Sequence, residues 1–149
     1  MPGDGTTTDH LLPAPVVAVD GDTDLTEVAS LASGHLHSCA LLGSGDVRCW
    51  GWNLAGELGC VVTTDALARC AGASHGSAGS DSTTIPVPVA GIGGVGTRGQ
   101  VAALSGTYNH VCAQLWNGEA RCWGHNFGGV LGDGTTIDRV FPVAVGDPS

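Results

Sequence analysis

The sequence predicts an all-β repeat protein in which each unit consists of four short antiparallel strands. Three observations carry that prediction. Residues 28–59 and 101–132 align without a gap at an offset of 73, with sixteen of 32 positions identical. Unrelated segments would share about two, so the chain contains an internal repeat. Gly supplies 25 of the 149 residues, whereas Trp, Phe and Tyr supply 4, 2 and 1. Such a composition suits tight turns and close backbone contacts, not a helical bundle. The six cysteines fall as Cys39/Cys49, Cys60/Cys70 and Cys112/Cys122, each pair ten residues apart.

The elements follow in chain order. Residues 1–19 read as the tail strand of an upstream repeat, because Gly3-Asp4-Gly5-Thr6-Thr7 recurs as Gly132-Asp133-Gly134-Thr135-Thr136. The chain is therefore expected to start within its own period, as a piece of a longer array would. The first repeat spans 20–59, an insertion 60–84, and the second repeat with a closing strand 85–149. Pro13–Val17, and later Pro86–Val89, are expected to open each unit; their prolines confine them to an edge or a strand start. Val28–Ala32 and Val101–Ser105 follow as second strands. Hairpins are predicted over His37–Leu42 with Asp46–Trp50 and over His110–Leu115 with Glu119–Trp123. Gly43-Ser44-Gly45-Asp46 and Trp116-Asn117-Gly118 supply the turn chemistry. The Ala/Ser/Gly-rich insertion reads as a surface loop, with one helical turn over Asp65–Arg69.

Charge and hydropathy exclude several functions. The formal net charge is −9 with only five basic residues, so the Lys/Arg clusters that nucleic acid or an anionic membrane would require are missing. No apolar run reaches transmembrane length. An even cysteine number at regular spacing, without Cys-x-x-Cys, argues for disulfides in an oxidising compartment, extracellular or at the cell surface, with an export signal upstream.

Cys39 and Cys49 lie symmetrically about Ser44, and Cys112 and Cys122 about Asn117, so each hairpin sets its cysteines opposite one another at a Cα separation of about 4.5–5.5 Å, within disulfide range. Cys60 with Cys70 is a third disulfide candidate. Structural zinc would need tighter ligand pairs. Asp20, Asp22 and Asp24 alternate as in a calcium loop, but Leu25 and Leu31 stand where an EF-hand needs Gly and Glu; a solvated loop is the favoured reading. His37 and His110 occupy one repeat position and read as structural. No nucleophile elbow, phosphate loop or His-Glu-x-x-His is present, so the expectation is no enzyme and no cofactor. Trp50 and Trp123 are doubled and are expected to pack between units. Trp52, Tyr108 and Trp116 are not doubled, which makes them candidate protein-binding residues.

His37-Ser38-Cys39-Ala40-Leu41, Gly45, Cys49-Trp50-Gly51, Asn53, Gly56, Leu58-Gly59 and Pro86-Val87-Pro88-Val89 together resemble the regulator of chromosome condensation repeat, in its cysteine-bearing bacterial extracellular form. The resemblance implies β-propeller blades acting as a rigid platform for protein contacts. Two full repeats plus partial terminal strands make an incomplete propeller, or part of a larger or oligomeric one. Thr107 stands where the repeat keeps Gly, matching Gly34, and strain or a local rearrangement is expected there. The function expected is a non-enzymatic protein-binding scaffold. Guanine-nucleotide exchange is one alternative, and homo-oligomerisation through unpaired edge strands is another. The family's light-sensing members depend on tryptophans just before the repeat His; here His35, Leu36, Tyr108 and Asn109 fill those places, so light sensing is not implied.

Overall fold

A computed structural model describes residues 1–18, 21–59, 61–62, 68–69, 82–89 and 100–146. The described strands are β1 (Val28–Ser33), β2 (His37–Leu42), β3 (Val47–Gly51), β4 (Val61–Val62), β5 (Ala68–Arg69), β6 (Thr83–Pro88), β7 (Val101–Gly106), β8 (His110–Leu115), β9 (Ala120–Gly124) and β10 (Arg139–Ala144). They form two four-stranded antiparallel sheets, in the orders β1-β2-β3-β6 and β7-β8-β9-β10, and a two-stranded ladder of β4 with β5.

The repeat in sequence is a repeat in geometry. In the β2–β3 hairpin Cys39 faces Cys49, and in β8–β9 Cys112 faces Cys122. Gly45 (φ 82°) and Gly118 (φ 88°) take the left-handed conformation that closes each turn, which is why this glycine is shared by both units. Both first strands break register at the same place, between Val28 and Ser30 and between Val101 and Ala103. A doubled bulge is part of the repeat plan.

The main core lies between the two sheets. Cys39, Leu41, Val47, Cys49 and Val87 come from the first sheet, Val111, Ala113 and Trp123 from the second, and Leu58 from the chain leaving β3. Fully burying a side chain such as Leu58, Val87 or Val111 stabilises by about 1.5–3 kcal/mol, so this seam is the main apolar source of cohesion between the units. The Trp123 indole N–H donates to the Glu57 carbonyl at 2.9 Å and ties the second sheet to the loop of the first. Gly59 lies against the Trp123 indole, and Gly3 lies against the Trp50 indole in the same manner. Both doubled tryptophans are thus buried against chain from the neighbouring segment, as the sequence implied.

Several expectations change. The Pro-Val strand closes a sheet instead of opening one: Thr83–Pro88 pairs with β3, with Cys49 opposite Val87, and so belongs to the first sheet. Pro13–Val17 is no strand; Val17 alone bridges Asp24. Of the turn expected over Asp65–Arg69, Asp65, Ala66 and Leu67 lie outside the described residues, and Ala68 and Arg69 pair with Val62 and Val61 and are extended. The predicted strain at Thr107 is absent. Among described non-glycine residues only Glu27 has positive φ, and Thr107 is exposed where Gly34 is pressed between sheets.

Candidate functional site

Strand direction sorts the connections onto two ends of the molecule. His37 pairs with Gly51 and His110 with Gly124, so residues 34–36, 52–59, 107–109 and 125–138 gather at one end, the loop end. The hairpin turns 43–46 and 116–119 lie at the other, the turn end.

Backbone hydrogen bonds stitch the loop end within each sheet and once across them. The Trp52 N–H donates to Leu36 O at 2.9 Å in the first unit and the His125 N–H to Asn109 O at 2.8 Å in the second, while the His35 N–H crosses to Tyr108 O at 2.9 Å. On this frame His35 stacks on Tyr108 with ring centroids 4.4 Å apart. His125 and Phe127 have parallel rings 6.3 Å apart. Trp52 is 39% exposed, Tyr108 67% and Phe127 80%, and Leu36 and Leu54 are also exposed. Of the three candidate aromatics that the sequence offered, Trp52 and Tyr108 therefore share an end. Trp116, 75% exposed, sits on the opposite turn. A single compact interface cannot use all three.

The sequence reading missed Leu36, Leu54, His125 and Phe127. Their signal was available: positions 36/109, 52/125 and 54/127 all differ between the units, the same property that selected Tyr108.

Below this surface lies a polar scaffold. The buried Asn126 side chain accepts from the Leu131 N–H at 2.9 Å and donates to Asp133 Oδ1 at 3.1 Å, Thr135 O at 3.1 Å and Ile137 O at 3.0 Å. Asn53 accepts from the Leu58 N–H in the same way at 2.9 Å. Asp133 also receives the Thr135 N–H at 3.0 Å and Arg139 Nε at 2.6 Å. Near the N-terminus Asp4 receives the Thr6 N–H at 2.9 Å, and its other oxygen pairs with His10 Nε2 at 2.6 Å. The repeated Asp-Gly-Thr words are thus one repeated turn. Burial raises the Asp133 carboxyl, but Arg139 and Thr135 outweigh it and hold the group at about 2.

Ionisable groups concentrate where the sheets meet. Burial, then the nearby His110, lowers His37 from 6.5 to about 4. Burial, then His125, lowers His110. Burial pushes the Glu57 carboxyl up. His125 Nδ1 pairs with Asp138 Oδ1 at 3.0 Å. Among the described residues no group of three or more His, Cys, Asp or Glu side chains could hold a metal ion. Asp22 and Asp24 are described, but Asp20 lies outside the described residues, as do Cys60 and Cys70. The sulfurs of Cys39 and Cys49 are 2.09 Å apart and those of Cys112 and Cys122 are 2.12 Å apart, with Cα separations of 4.1 Å in both. That spacing is just under the range expected for facing strand residues.

Two packed, sequence-related antiparallel sheets with their variable loops at one end define a repeat protein of propeller-blade type. The profile described as "Regulator of chromosome condensation (RCC1) repeat" matches residues 28–57, so the chain carries that repeat. It is 31% identical over 141 residues to the Arabidopsis thaliana "Ultraviolet-B receptor UVR8", covering 94% of this chain and 26% of the relative. The structure of Prp20p from Saccharomyces cerevisiae superposes with a TM-score of 0.62 at 20% identity, covering 79% of this chain and 25% of Prp20p. Human WBSCR16 superposes with a TM-score of 0.56 at 26% identity, covering 79% of this chain and 26% of that one. The chain therefore spans about a quarter of the length of each of these proteins.

Proposed function

We propose that the chain is a non-enzymatic protein-binding module that presents its loop end to a partner, in an oxidising, extracellular or cell-surface setting. The observation that carries this is the coincidence of non-doubled residues with exposure at one end. Leu36, Trp52, Leu54, Tyr108 and Phe127 all differ from their repeat counterparts, and all are exposed. Doubled residues such as Trp123, Leu58 and Leu131 are buried. A scaffold that keeps most of its doubled apolar positions inside and varies its loops is built for recognition by those loops. Aromatic and aliphatic side chains held on stapled strands are suitable anchors for a protein interface. The two disulfides support the oxidising setting.

Binding of Gsp1p and histones is described for Prp20p. At 20% identity that likeness reaches the fold, so we carry over only protein contact, not nucleotide exchange. Self-association is a second reading with its own observation. Val101 and Leu104 of β7 pack against the inter-sheet core, whereas their counterparts Val28 and Leu31 of β1 are 40% and 67% exposed. Light scattering across a concentration series tests it: a constant monomer mass removes that reading.

The binding reading is tested with a photo-crosslinking residue placed at Tyr108 or Phe127 and, as control, at Ser44 in the turn end. Crosslinked adducts in the secreted fraction of the producing cell are expected from the first two sites and not from the third. Equal yields from all three would remove the assignment to the loop end.

A further inference from the structure

His37 occupies a point where the two sheets touch. Its side chain is 4% exposed, and its Nε2 has no hydrogen-bond partner. The ring lies over Gly34, where a Cβ would overlap both the imidazole and the Thr107 carbonyl of the second sheet. Ring, glycine and facing backbone thus meet at one place, and the His35 N–H crosses to Tyr108 O beside it at 2.9 Å. A neutral imidazole leaves one nitrogen unmet at modest cost. An imidazolium would bring a second N–H donor and a full charge into a site where Nε2 has no acceptor.

The ionisable surroundings do not offset that charge. β1 and β7, the strands in contact across the junction, carry no ionisable side chain. β3 contributes Arg48, which faces Ala40 instead of His37. β8 brings His110, whose charge opposes a charge on His37, and His125 acts on His110 in the same sense. From the loops, Asp138 is paired with His125 at 3.0 Å, the Glu57 carboxyl accepts the Ala55 N–H at 2.9 Å, and His35 stacks on Tyr108. Among the described residues no carboxylate is bonded to His37 Nε2.

We propose that the junction between the two sheets is an acid-sensitive joint, in which protonation of His37 loosens the contact between sheets while the hairpin disulfides keep each sheet intact. The sign follows from burial first and His110 second. Both lower the His37 pKa from 6.5 to about 4 in the closed form, so the closed junction binds the proton more weakly than the opened one. Stability from a neutral His37 is complete above 6.5 and is lost as pH falls toward about 4. The two disulfides do not titrate in this range, so each hairpin stays closed as the seam opens. The joint does not depend on the loop end binding a partner.

NMR of the whole chain between neutral and acid pH tests the proposal. The His37 ring proton is expected to titrate near 4. Protection of the Trp123 indole N–H, which donates to Glu57 O across the junction, is expected to fall by up to about tenfold for each pH unit between 6.5 and about 4, after correction for intrinsic exchange. His37→Gln should make that protection nearly independent of pH. The proposal fails if His37 titrates at 6.5 or above, or if wild-type protection is flat. It also fails if His37→Gln shows the same decline. Should that variant not fold, the wild-type titration and protection decide the question alone.

Discussion

Asn126 shows how much one doubled side chain can carry. It is fully buried, and its amide serves Leu131, Asp133, Thr135 and Ile137 at once. Asn126→Ala leaves several of those groups unmet, and each unsatisfied buried polar group costs about 1–3 kcal/mol. Urea denaturation should show a loss of about 2–4 kcal/mol, and an unchanged midpoint would contradict the network. Gly34 and Thr107 are the opposite case, one repeat position with two residues. Gly34→Ala forces a Cβ into the His37 ring and the Thr107 carbonyl, whereas Thr107 faces solvent and bonds His110 Nδ1 at 2.8 Å. Gly34→Ala should therefore lower Tm clearly, and Thr107→Gly should change it little; calorimetry of the two variants compares them directly. Equal effects would mean that the junction does not discriminate the two sites.

At the scale of elements, the hairpin staple is the most local device. Each disulfide closes a loop between residues ten apart, and closing such a loop is worth about 2–3 kcal/mol. Cys112→Ala with Cys122→Ala should lower stability by that amount in denaturant titration while leaving β8 and β9 paired; a loss near zero would mean that the reduced hairpin is already held by its ladder. The hairpins were legible because their signals are local: a Gly turn, alternating side chains and cysteines symmetric about it. The first strands were legible because Val28–Ser33 and Val101–Gly106 repeat at one offset. The Pro-Val strands were harder to assign. Val87 pairs with Cys49 across the whole insertion, and nothing local in Pro86–Val89 says whether it joins the sheet before or after it. Pro13–Val17 carries similar residues but has no sheet to join among the described residues, so strand composition alone did not make a strand.

At the scale of the whole molecule, the repeat and the departures from it have separate jobs. Doubled positions build two sheets and the seam between them. The loop end collects positions where the units differ, and it was only partly legible, since sequence alone does not say which loops share an end. Tyr108 and Trp116 look equally promising as letters; strand direction separates them to opposite ends of the sheet. The central claim is that recognition belongs to the loop end, and hydrogen exchange of the chain with and without a captured protein partner tests it most directly. New protection is predicted at residues 35–36, 52–54, 108–109 and 125–127, with turns 43–46 and 116–119 unchanged. Protection confined to those turns, or to β1, would contradict the claim.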